Sequence, residues 1–82
     1  MANIDEILDR LFGHLAALAP PGTELTEQTD LVGTLGLDSI TVINMVVELE
    51  DAYDISVPLN ALADIRTAGE LARLVLRICE ES

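Results

Sequence analysis

The sequence predicts an all-α fold, a four-helix bundle of three longer helices and a short helix III. Three observations predict it. Apolar residues recur at helical spacing in three separate segments. Each segment opens at a residue suited to cap a helix, namely Asn3, Asp38 and Thr67. Hydrophobic residues make up 50% of the chain, yet there is one Phe, one Tyr and no Trp, so the core must be Leu, Ile and Val. With 82 residues, positions 1–82 read as one domain, small enough that only about 60% of the unfolded surface is buried on folding.

Helix I starts at Asn3, with Glu6 three residues on as a capping box. Ile4, Ile7, Leu8, Leu11, Phe12, Leu15 and Leu18 form one face, and Asp5, Glu6, Asp9 and Arg10 lie largely off it. Pro20-Pro21-Gly22 ends the element and biases Ala19 away from helical angles. His14 is the sole histidine and has no cysteine nearby, so it reads as a helix-surface residue rather than a ligand or base. From Gly22 to Leu37 runs a long connection, with Leu25, Leu31, Leu35 and Leu37 expected to pin it to the core and a turn of helix expected at Thr29–Val32. A loop of this length usually has a functional reason, and delivering Ser39 to an exposed tip is one.

Helix II is predicted from Ser39 to about Tyr53. Asp38 caps it, so Ser39 takes the first helical position, at the positive end of the helix dipole, where a phosphate is favoured. At about 100° per residue, Val42, Met45, Val46, Leu49 and Tyr53 form the core face. Ile40, Ile43 and Val47 fall nearly opposite, in one sector with Glu50, Asp51 and Asp54; Glu48 adds to the acidity of late helix II. An apolar strip with an acidic rim reads as a docking surface for a basic partner. The alternative is that the long loop or helix III covers Ile40 and Ile43.

In the exit loop, Ile55 and Val57 should turn inward, and Leu59 to Ala63 should make helix III. Thr67 and Glu70 form a second capping box, opening helix IV. Its buried stripe is Leu71, Leu74, Val75 and Ile78, with Ala68 and Ala72 allowing close approach. Arg66, Arg73 and Arg77 are expected to balance local acids, and Cys79 to be partly packed and functionally silent.

Gly36-Leu37-Asp38-Ser39-Ile40 resembles the G-x-D-S-[LI] attachment site of acyl carrier proteins and the related peptidyl carrier domains, and the similarity extends from about Thr29 to Leu74. The resemblance implies a bundle of acyl-carrier type. It implies that a phosphopantetheinyl transferase moves phosphopantetheine from coenzyme A onto Ser39, while Asp38 helps that transferase position its magnesium; the chain itself needs no metal. The arm's thiol then holds an acyl or aminoacyl group as a thioester. Partner enzymes with basic surfaces would engage helix II and its surroundings, at Ile40, Ile43, Val47, Glu48, Glu50, Asp51, Asp54 and Leu59, with Leu59 and Leu62 lining the place where the arm or its cargo rests.

Two departures refine this. Carriers of primary fatty-acid synthesis often have acids where this chain has Thr41 and Asn44, and an acidic helix III where it reads Leu-Asn-Ala-Leu-Ala. The expectation is therefore an acyl carrier of a specialised pathway, whether polyketide, unusual fatty acid or another secondary route. An aminoacyl or peptidyl carrier loaded by a dedicated ligase is the alternative, and an unmodified acidic interaction module a further one.

Composition excludes other classes. A formal net charge of −11 argues against nucleic-acid binding, which depends on Lys and Arg displacing counterions. Catalysis by Ser39 would need a base and an oxyanion hole, and there is no G-x-S-x-G. One cysteine and no cleavable leader point to a cytoplasmic setting, and no apolar run approaches the roughly 20 residues that span a bilayer. A non-catalytic monomer is expected, with a ring-poor core able to part for an apolar chain.

Overall fold

The computed structural model describes residues 3–81, which form four helices and no strand: α1 Ile4–Leu18, α2 Ser39–Tyr53, α3 Leu59–Leu62 and α4 Ala68–Glu81. The caps are those the sequence predicts. Asn3 Oδ1 accepts the Glu6 N–H at 2.9 Å, and Ala19 leaves α1 in an extended conformation ahead of Pro20. At α4 the capping box is reciprocal: Thr67 Oγ1 accepts the Glu70 N–H at 3.2 Å, while Glu70 Oε1 accepts the Thr67 N–H at 3.1 Å. Two orphan donors of the first turn are satisfied in this way.

Long-range contacts fix the helix directions. Tyr53, at the end of α2, brings its hydroxyl within 3.4 Å of Glu6 at the start of α1, and His14 Nδ1 lies 2.9 Å from Glu48 Oε2. These two helices are therefore antiparallel. Cys79, near the end of α4, feels the charge of Glu6, so α4 also runs against α1. Ile7, Leu11 and Leu15 from α1 meet Leu49 from α2 and Leu71 and Val75 from α4 in a core of fully buried aliphatic side chains. Each such side chain contributes about 1.5–3 kcal/mol of burial. Leu18 departs from expectation: it is exposed, because α1 ends there beyond the reach of the core.

The long connection is stitched to α4 rather than left loose. The Thr29 and Glu27 carbonyls accept the Ala68 and Gly69 N–H groups at 3.0 and 2.8 Å, and Asp30 pairs with Thr67 in an isolated antiparallel bridge. Backbones approach so closely here that a Cβ on Gly69 would lie 2.9 Å from the Glu27 carbonyl oxygen. The helical turn expected at Thr29–Val32 does not form. Pairing with Thr67 holds Asp30 extended, and the chain then coils through turns over 31–35. Leu31 and Leu37 are buried, and Leu25 and Leu35 pack on the core from partly buried positions. Helix α3 ends at Leu62, one residue before the expected Ala63, and has neither a side-chain cap nor a buried residue.

Candidate functional site

The site is built from the turn that precedes α2. Asp30 Oδ1 accepts the N–H groups of Val32 and Gly33 at 3.0 and 2.6 Å, which fixes the coil at its start. Its end is Gly36, at φ +68, with its N–H on the Val32 carbonyl at 2.9 Å. That left-handed conformation suits glycine, and it turns Leu37 into the core so that Asp38 and Ser39 emerge outside. Asp38 then caps α2: its Oδ1 accepts the Thr41 N–H at 2.8 Å, and its carbonyl accepts the Val42 N–H at 3.1 Å. The bond from the Thr41 amide holds the Asp38 carboxyl below its ordinary value of 3.8. Ser39 is exposed at the first position of α2.

A groove of about 400 Å³ opens beside that serine. Val42 and Ile43 supply the α2 wall, Leu59, Leu62 and Ala63 the α3 wall, and Leu31, Val32 and Ile65 close it from the loops. Among the described residues, Ser39 is the only hydroxyl-bearing one that lines it. Sequence reasoning singled out Leu59 and Leu62 but missed Val32 and Ile65, which carry no periodic signal because they sit in separate loops.

The outer face of α2 is largely as the wheel places it. Ile40 and Val47 are 67% and 45% exposed, Leu59 at the start of α3 is 68% exposed, and Ile43 is 37% exposed on the groove's edge. Neither the loop nor α3 covers Ile40 or Ile43. Asp51 and Asp54 are exposed on the rim, Asp54 serving as the C-cap of α2 at φ 54. Glu48 and Glu50 are engaged within the chain. Glu48 faces α1 through His14, and half-buried Glu50 accepts the Val57 N–H on Oε2 at 2.7 Å.

These residues fit a phosphopantetheine arm. The Ser39 hydroxyl is exposed where the helix presents unpaired amide donors to an anion, and the groove beginning at it is apolar. Such a group would supply a thiol for thioester formation; Ser39 would anchor it, with the capped helix start and the apolar wall beside it. Among the described residues, no three His, Cys, Asp or Glu side chains converge to hold a metal ion, and no helix is long and apolar enough to cross a membrane.

Comparison with known proteins agrees with this geometry. The family described as the phosphopantetheine attachment site matches residues 7–75. A protein of Caulobacter vibrioides described as a probable acyl carrier protein is 40% identical over 79 residues, covering 92% of each chain. The meromycolate extension acyl carrier protein of Mycobacterium leprae is 29% identical over 82 residues, with this chain spanning 66% of its length. A solved chain of Mycobacterium tuberculosis, assigned as a candidate acyl carrier protein, shares the fold at a TM-score of 0.75 and 24% identity, over 87% of this chain and 96% of its own. With the family match spanning most of its length and the attachment motif at the head of α2, this chain belongs to the acyl carrier proteins, whose cofactor is covalently attached phosphopantetheine.

Proposed function

We propose that Ser39 is the attachment point and that residues 1–82 act as one non-catalytic carrier unit, holding acyl intermediates as thioesters in a specialised cytoplasmic pathway. The observation that carries this reading is the exposed Ser39 hydroxyl at the head of α2, opening onto an apolar groove. Tethering raises the effective concentration of an intermediate at each partner enzyme and prevents its loss, so the chemistry belongs to the arm and the partners. Asp38, beside Ser39 and exposed, assists the transferase's magnesium. Ile40, Ile43, Val47 and Leu59 supply apolar contact, and Asp51 and Asp54 steer partners with basic surfaces; Glu48 and Glu50 are less available because they are bonded within the chain. Thr41 and Asn44 on α2 and the uncharged α3 support dedicated partners over the general fatty-acid enzymes, as do relatives named for meromycolate extension.

The apolar lining favours acyl over aminoacyl cargo. The test is intact mass before and after incubation with coenzyme A, magnesium and a promiscuous phosphopantetheinyl transferase. A gain of one phosphopantetheine in the wild type and none in Ser39→Ala is expected; a gain in both, or in neither, refutes the assignment. Efficient loading of the modified chain by a general fatty-acid malonyl transferase would overturn the specialised reading, and selective loading by an amino-acid ligase would overturn acyl cargo.

A further inference from the structure

The half-buried carboxylate of Glu50 has an intrachain role that a place on the docking rim does not explain. Its side chain accepts the Val57 N–H at 2.7 Å, the short distance of a charge-assisted bond. Its backbone carbonyl accepts two further amides, those of Asp54 and Ile55, the latter at 3.0 Å. One residue thus fastens three amides of the four-residue stretch that leads from α2 towards α3.

Beyond that stretch the chain is held less firmly than the long helices: Ala61, Leu62 and Ile65 pack on the core only from partly buried positions. Helix α3 is four residues long, with no side-chain cap and no buried residue. Its far side is tied where the Leu31 N–H meets the Arg66 carbonyl at 2.8 Å. Between these two ties lie Leu59, Leu62, Ala63 and Ile65, which form one whole side of the groove beside Ser39. A segment with few buried contacts and short local hydrogen-bonding is drawn from the low-stability end of a fold, so its position depends on its end ties.

We infer that Glu50 is a positioning residue: its carboxylate is the latch that holds the α3 wall against α2, setting the width of the groove next to the attachment serine. The inference rests on the groove being the resting place of cargo, and its test separates the two. A second acid one position on, Asp51, is exposed on the rim and has no such tie among the described residues' hydrogen bonds, which makes it the natural comparison.

Amide hydrogen exchange on the unmodified full chain tests the latch without any cofactor. In Glu50→Ala, exchange of the bonded Val57 and Ala61 amides should accelerate at least about tenfold, the size expected for loss of a hydrogen bond to a charged group. Exchange in the middle of α1 and α4 should stay at the wild-type rate. Glu50→Gln keeps an acceptor oxygen and should fall between the two, whereas Asp51→Asn should leave the segment unchanged. Unchanged exchange at Val57 and Ala61 in both Glu50 variants overturns the latch, as does an equal acceleration in Asp51→Asn. Uniform acceleration across all helices in Glu50→Gln overturns it too, since that is loss of the fold rather than release of one wall. The second readout is thioester lifetime on the chain loaded with a medium-length acyl group. Faster hydrolysis in Glu50→Ala, with partial rescue in Glu50→Gln, supports the positioning role. A released wall with an unchanged thioester lifetime leaves the latch intact and refutes the groove as the cargo's resting place.

Discussion

Replacing glycine by alanine at two helical positions should move stability in opposite directions, and the structure supplies both magnitudes. Gly13 lies exposed in α1, and a Cβ built there meets nothing within 4 Å. Gly13→Ala therefore shows only the helix-propensity gain, about 0.5–1 kcal/mol. At Gly69 the same Cβ falls 2.9 Å from the Glu27 carbonyl oxygen and 3.0 Å from the Glu27 Cβ. The nearer atom is backbone, and its carbonyl already accepts the Gly69 N–H at 2.8 Å, so relief requires pulling the connection off α4. Overpacking of this kind costs about 1–3 kcal/mol, and the propensity gain offsets only part of it. Gly69 stands in the first turn, where that gain is smallest. The net expectation is a loss of about 0.5–2 kcal/mol. In a domain of this size 1 kcal/mol is worth about 4–8 °C, so thermal melts followed by circular dichroism should show Gly13→Ala above wild type and Gly69→Ala below it. A Gly69→Ala variant that melts at or above wild type would refute the argument that backbone proximity, rather than chance, explains glycine at that position.

Three further outcomes are expected. The cap of α2 carries a pH signature: because the Thr41 amide depresses the Asp38 carboxyl, the bond stabilises the fold fully above the ordinary value of 3.8 and is lost as pH falls through the lowered folded value. The melting difference between wild type and Asp38→Ala should therefore be complete at neutral pH and shrink below about pH 4; a difference constant down to pH 2 would contradict it. Burial, then the charges of Glu6 and Glu80, push the Cys79 thiol above its usual 9.0. At pH 7.5, iodoacetamide should accordingly label the arm's terminal thiol well before Cys79, and peptide mapping that finds Cys79 labelled first would sink that expectation. Finally, 15 carboxylates against four guanidinium groups should make the melting temperature rise with salt as repulsion is screened, and a melt insensitive to ionic strength would refute this.

Much of the fold and the site was legible in the residues because it is local. A capping box needs only Thr67 and Glu70, and α2 needs only Asp38 and the stripe Val42, Met45, Val46 and Leu49, so sequence spacing predicts both. What escaped depends on contacts distant in sequence. A helical wheel places Glu50 beside Asp51 and Asp54 but is blind to a loop returning to offer the Val57 amide. Glu48 likewise meets His14 only because α1 and α2 are antiparallel. Thr29–Val32 has the composition of a turn of helix, and pairing with Thr67 overrides it. The groove draws on α2, α3 and two loops, so no single stretch of sequence records it.

Asp54 joins two demands that pull apart. At φ 54 it closes α2 in the left-handed region, where a residue with a Cβ sits less easily than glycine and where helix ends commonly carry glycine. The same residue is one of the two exposed acids on the outer rim of α2, the face proposed to meet a basic partner. Glycine there would relax the backbone and erase a charge in one stroke. A laboratory selection for heat resistance alone is thus expected to accept Asp54→Gly, and to yield a sturdier carrier that its own enzymes recognise less well.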